Sequence, residues 1–140
     1  MKPLVNIALL FVFILALSGI MGAIYMYNKP HKDFTGARAD YALSAEELQK
    51  EFGSDEPAAT AKYMSKTIEV TGIISKINSG EEKVLSITLK TADDNSSVIC
   101  SLGDGIKPDE LKSGGNVTVR GELSGYLMDV IMNNCVIVTK

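Results

Sequence analysis

Thr67-Ile68-Glu69-Val70-Thr71-Gly72-Ile73-Ile74-Ser75 decides the fold of the carboxyl-terminal part of the chain. Ile68, Val70, Gly72 and Ile74 alternate with Glu69, Thr71, Ile73 and Ser75, the period of a strand with one buried face. Downstream the pattern repeats. After the turn-rich Asn78-Ser-Gly-Glu-Glu82, a second strand places Leu85, Ile87 and Leu89 on one face and Ser86, Thr88 and Lys90 on the other, and Asp93-Asp-Asn-Ser96 is the next turn. The third strand, Ser97 to Leu102, puts Val98, Cys100 and Leu102 on a shared face. Gly103 to Gly115 breaks the alternation, and Pro108 suits one or two helical turns over Lys107 to Lys112. Strand four sets Val117, Val119, Gly121 and Leu123 opposite Thr118, Arg120 and Glu122, and the last strand runs from Asp129 to Val138. A sheet this small cannot bury both faces if it stays open, whereas closing it into a barrel removes its edges. Gly72 and Gly121, mid-strand on the inner face, relieve crowding at sharp bends.

Upstream of this region the spacing is helical. Ser44-Ala-Glu-Glu47 forms a capping box; Leu43, Leu48 and Phe52 make one apolar stripe, with Gly53 as a stop. A second short helix is expected over Glu56 to Tyr63, with Ala59 and Tyr63 on one side. Residues 29–42 contain Pro30, Gly36 and scattered charge, the composition of a tether.

The amino end is different. Of 140 residues 46% are hydrophobic, and these concentrate between Leu4 and Tyr27, where no side chain is charged. A bilayer core takes about 20 apolar residues in helical form, so the expected organisation is a transmembrane anchor over residues 1–28, a tether over 29–42 and one domain over 43–140. A cleaved secretory signal is the rival, but its apolar core runs to about 7–15 residues and ends in a small-x-small site absent here. The segment reads as an uncleaved signal-anchor. Lys2 precedes it and Lys29, Lys32 and Arg38 follow it, a count that alone places the domain in the cytoplasm. The extreme amino-terminal position, like that of an export signal, points instead to the outside. Apart from Lys2, all charged residues follow the span, 17 acidic against 13 basic, leaving the exposed part at about −4. Ser18 with Gly22, and Gly19 with Ala23, have small-xxx-small spacing.

Residues Leu43 to Val138 resemble the tRNA_anti-like family of bacterial OB-fold proteins. The resemblance is carried by Ala61-Lys-Tyr63 before Ile68-Glu-Val-Thr-Gly72-Ile, by Val98-Ile-Cys100, by Leu111-Lys-Ser-Gly114 leading into Val117-Thr-Val-Arg-Gly121, and by Asp129-Val-Ile-Met-Asn-Asn-Cys135. It implies an all-β domain with short helices, a five-stranded OB-like barrel preceded by the amino-terminal transmembrane helix. It also implies that the third and fifth strands are neighbours, which brings Cys100 and Cys135 onto adjacent strands. Two readings stay open for that pair: a cross-strand disulfide in an oxidising compartment, which would favour an outside location, or small buried thiols. The family name reflects similarity to anticodon-binding domains and fixes no activity.

The chemistry-bearing residues are few. His31, the sole histidine, falls in the tether, so a serine or cysteine nucleophile would lack a histidine base inside the barrel. Glu81-Glu82, Asp93-Asp94 and Asp109-Glu110 read as solvated turn or helix-start charge, and no CxxC or calcium-loop pattern occurs. No enzyme activity, metal or cofactor is expected. Asn95-Ser-Ser97 and Asn116-Val-Thr118 match the glycosylation sequon, relevant only in a eukaryotic source. Lys76, Lys90 and Arg120 on outward faces, with Tyr126 as the only aromatic from Thr67 onward, are the candidate binding residues. OB domains that hold single strands need a basic groove and aromatic platforms, and this barrel is poor in both. The reading is a binding or interaction module anchored in the cell envelope, facing outward and meeting a protein, peptide or small polar ligand. The alternative is a cytoplasm-facing nucleic-acid-binding domain. The ligand and the oligomeric state are left open.

Overall fold

The computed structural model describes residues 2–28, 34–103 and 106–138. The chain divides into two compact units, Met1–His31 and Lys32–Lys140. The first contains one helix, α1, Lys2–Tyr27, whose only proline, Pro3, sits in the tolerant first turn and whose backbone groups away from the two ends are satisfied within the segment. At 1.5 Å per residue it measures about 39 Å, long and apolar enough to cross a membrane.

The second unit begins with a short strand, β1, Tyr41–Ser44, followed by α2, Ala45–Ser54, and α3, Glu56–Tyr63. The expected capping box is present. The Ser44 hydroxyl accepts from Glu47 N at 3.1 Å, and Ser44 N donates to the Glu47 carboxylate at 2.9 Å. Asp55 closes α2 through its N–H to Glu51 O and opens α3 by accepting from Ala58 N with its side chain. Gly53 is therefore not the stop expected of it; it lies inside α2. Leu43 belongs to β1 rather than to the helical stripe, which is Ala45, Leu48, Gln49 and Phe52.

Five strands follow: β2, Thr67–Ser79; β3, Val84–Lys90; β4, Ser97–Leu102; β5, Asn116–Leu127; and β6, Asp129–Ile137, with a single 3-10 turn at Pro108–Glu110 between β4 and β5. The order β2-β3-β4-β6-β5 closes through β5 back onto β2, making the five-stranded barrel. Long β2 serves both sides, its first half pairing with β5 (Thr67–Ile73) and its second with β3 (Ile74–Ser79). The first half also takes β1 as a parallel neighbour, Tyr41 opposite Ile68 through Ser44 opposite Thr71. Residues 34–42, read as tether, are thus partly built in: Phe34 is buried, and the Asp40 backbone and carboxylate bind Thr67. Lys29, Pro30, His31 and Lys32 lie outside the described residues.

The core is the inner face of the barrel, with Ile68, Val70, Ile87, Leu89, Val98, Val119, Leu123, Val130 and Met132 among the fully buried side chains. Leu48, Phe52, Ala59 and Tyr63 join it from α2 and α3. On β3 the face differs from the simple alternation. A register shift at Asn78/Ser79 sends Val84 inward and leaves Leu85 46% exposed. Both inner-face glycines mark close approaches. A Cβ on Gly72 would lie 3.0 Å from Ala45 Cβ, and one on Gly121 would meet Cys135 Sγ at 2.6 Å and Asn133 O at 2.9 Å. Gly121 lies opposite a bulge in β6, where Arg120 pairs Val136 but Glu122 pairs Asn133, and Asn134 takes φ 54°.

Candidate ligand cleft beside helix α2

A helical face and two hairpin ends enclose a cleft of about 440 Å³. One wall is the face of α2 bearing Glu46, Gln49, Lys50, Gly53 and Ser54, residues brought into line by the 3.6-residue repeat. The second is the β3–β4 turn. Thr91 Oγ1 ties that turn together by donating to Ser96 O at 2.7 Å and Asp93 O at 3.1 Å, while Asn95 N donates to Asp93 Oδ1. The third is the β5–β6 hairpin, with Tyr126 and Met128. Met128 takes φ 68°, the left-handed conformation that makes this turn tight. Asp129 Oδ1 joins the two hairpins by accepting from both the N–H and the hydroxyl of Ser97 at 2.7 Å.

Two features of the α2 wall are unusual. Gln49 is only 8% exposed; its Nε2 donates to Met128 O at 3.1 Å, but Oε1 is buried with no hydrogen-bond partner. The amide orientation is fixed, because the Met128 carbonyl can only accept. An unsatisfied buried acceptor costs about 1–3 kcal/mol. Gly53, for its part, sits in a helix without left-handed backbone geometry, and a Cβ there would meet nothing within 4 Å. Glycine in a helix is worse than alanine by roughly 0.5–1 kcal/mol, and neither backbone strain nor packing explains it here.

The residues singled out from sequence fall in three places. Tyr126 lines the cleft, its ring stacked on Phe52 at 4.9 Å and 22°. Lys76 lies opposite Thr88, two positions from Lys90 on β3, so these two lysines share one outer region of the barrel. Arg120 does not join them. It pairs directly across from Glu69, roughly 23 Å along β2 from Lys76 at 3.3 Å per residue. There its guanidinium holds Glu69 Oε2 at 2.9 Å and the carbonyls of Phe34 and Thr35 at 3.3 Å. Arg120 and the two lysines therefore do not lie together. Outward positions in register on β3, β4 and β6 include Ser86, Thr88, Ser101, Ile99 and Ile131, neutral side chains next to Lys90.

Cys100 and Cys135 are both fully buried and present as free thiols on paired strands, Leu102 lying opposite Cys135 across a register shift. Hydrogen bonding to Cys135, with burial second, pushes the Cys100 thiol well above its ordinary range. The carboxylates of the helical cap have structural work. Glu51 is held below its usual range by Lys62 at 3.0 Å and then by the Tyr63 hydroxyl at 2.8 Å. Among the described residues no three His, Cys, Asp or Glu side chains gather as a metal-binding group. A second hollow of about 500 Å³ lies between Leu111 and Val138. Sequence reasoning missed Gln49 and Gly53. The legible signal was an amide in the apolar stripe of α2.

No curated protein matches the sequence. In fold the chain is similar to a Klebsiella pneumoniae protein provisionally named a nucleic acid-binding lipoprotein, with a TM-score of 0.54 at 15% identity over 69% of this chain and 91% of that one. A DUF3299 family protein from Pseudomonas aeruginosa aligns with a TM-score of 0.39 at 14% identity, over 70% of this chain and 84% of its own. A protein from Leishmania major provisionally named an aspartyl-tRNA synthetase aligns at 0.43 and 14%, over 86% of this chain and 26% of its own. The tRNA_anti-like family profile matches residues 1–137, essentially the whole length, and the chain belongs to the tRNA_anti-like family.

Proposed function

We propose that this protein is a membrane-anchored, non-enzymatic binding module whose barrel faces away from the cytoplasm and receives a small polar ligand, or a polar group of a peptide, in the cleft beside α2. The observation that carries the reading is Gln49, a buried acceptor left without a donor in the wall of an open cleft. Gly53 supports it by keeping that wall free of side chains at a cost to the helix. A volume of about 440 Å³ lies within the roughly 300–1,000 Å³ of small-molecule sites. The assignment of α1 as the anchor follows from its length and unbroken apolar surface. The outward orientation, which the positive-residue count opposes, is supported by the lipoprotein in the name of the similar Klebsiella protein.

The test has two parts. A reporter fused after Lys140 that is active only outside the cytoplasm should be active; activity only in the cytoplasm overturns the orientation. Saturation-transfer NMR of the full chain in nanodiscs against a polar fragment library should give hits that Gly53→Leu, which fills the cleft, removes. Hits unaffected by that substitution overturn the site.

A second reading, nucleic-acid binding by a cytoplasmic domain, is favoured by the name of the Klebsiella protein and by Lys29, Lys32 and Arg38 following the span. Against it stand the Arg120–Glu69 pair and the neutral Ser86–Ser101 and Thr88–Ile99 pairs on the outer face of β3 and β4. Titration of labelled oligonucleotides separates the readings. Tight binding at physiological salt that Arg120→Glu abolishes would establish the second.

A further inference from the structure

We infer that the ligand of the α2 cleft is a small organic cation, a protonated amine on an apolar body. This inference rests on the reading of the cleft as a binding site and names the chemistry of its occupant. The lining presents acceptors in excess of donors. Gln49 Oε1 is buried and lacks a donor, and a carbonyl oxygen can be satisfied only by an N–H or O–H brought from outside. Asp93 Oδ1 holds the Asn95 N–H, but a carboxylate has about four lone-pair sites, so Asp93 retains capacity for a second donor. Glu46 adds another carboxylate, and Lys50 is the one cation in the lining. Gly53 and Ser54 belong to the last turn of α2, where the unsatisfied carbonyls of a helix carry partial negative charge. The apolar part of the site is Tyr126, one ring face of which is covered by Phe52, leaving the aromatic system to receive a cation or a flat apolar group from the cleft side. Lys50 apart, these terms have the same sign. An anion would meet two carboxylates and a helix carboxyl end against Lys50 alone; a neutral hydroxyl would satisfy Gln49 but leave the carboxylate field unused.

The experiment compares three probes of one shape, phenethylamine, 2-phenylethanol and phenylacetate, on the full chain in nanodiscs, read through the side-chain amide signals of Gln49 and the ring signals of Tyr126. Phenethylamine should shift both saturably and bind at least tenfold more tightly than the alcohol, with no saturable shift from phenylacetate. Glu46→Gln with Asp93→Asn should remove most of the amine's advantage over the alcohol. Gly53→Leu should abolish the shifts while the thermal transition stays in place. Equal binding of amine and alcohol, or binding of phenylacetate, overturns the amine assignment and leaves the cleft standing as a site. Silence of all three probes, or shifts that survive Gly53→Leu, overturns both.

Discussion

Replacing Gly121 by alanine adds one methyl group at the most crowded point of the barrel wall. The new Cβ would stand 2.6 Å from Cys135 Sγ, 2.9 Å from Asn133 O and 3.1 Å from Cys135 Cα. Two of the three blocking atoms are backbone, placed by the β6 bulge opposite Gly121, so a rotamer change cannot relieve the overlap. Overpacking of this kind costs about 1–3 kcal/mol, and the upper half of that range applies where backbone must shift. Alanine recovers up to about 1 kcal/mol by restricting the unfolded chain. The net loss is then about 2 kcal/mol, or roughly 10 °C in Tm for a domain near 100 residues. Urea and thermal melts of the full chain in detergent, followed by the β-sheet circular dichroism signal, measure it. Cys135→Ala in the same background removes the shortest contact but neither of the other two, so the double variant should recover only part of the loss. Gly53→Ala is the control, expected to hold or gain about 0.5–1 kcal/mol because its Cβ has open space. A Gly121→Ala variant within 0.5 kcal/mol of wild type would refute the close approach of β5 and β6.

The paired thiols and the helix cap each make testable demands. The native chain should react with no equivalent of Ellman's reagent and with two after unfolding in urea, since Cys100 and Cys135 are free and fully buried; no reaction after unfolding would reveal a disulfide instead. Because the Cys100 thiol is raised in the fold, its contribution to stability is present below the unfolded value of about 8.5 and is lost as pH rises through the folded one, so Cys100→Ala should flatten an alkaline decline. Ser44→Ala should cost about 1 kcal/mol at pH 7 by uncapping α2. The Glu47 carboxyl is held below its usual range by the Ser44 N–H and then its hydroxyl, so that half of the box is present above about pH 4.3 and lost as pH falls through the lower folded value. The gap between wild type and Glu47→Ala should narrow in urea melts at pH 3, and a gap unchanged with pH would contradict the box.

What the sequence made legible was local. Period-two alternation located all five barrel strands, Ser44 and Glu47 announced the start of α2, and Gly121 stood out because a small barrel has little room on its inner face. What it hid depends on partners far along the chain. Tyr41 to Ser44 is too short to show a period, and it is a strand only because the first half of β2, 27 residues on, offers a parallel edge there. Leu85 reads as core by alternation, but one register shift at the end of β2 exchanges its place with Val84, the expected effect of a one-residue slip on a period of two. Arg120 reads as an outward base until β5 is laid antiparallel on β2, which sets Glu69 directly opposite and converts a candidate contact for phosphate into a clamp on Phe34 and Thr35. The cleft lies between these cases. Gln49 at an inward helical position and a glycine that the helix continues past were both visible, yet each has a bland local explanation until the two hairpin ends are known to face them. The candidate site is therefore read where a local rule is broken without a local reason, and Gln49 and Gly53 break theirs on the same wall.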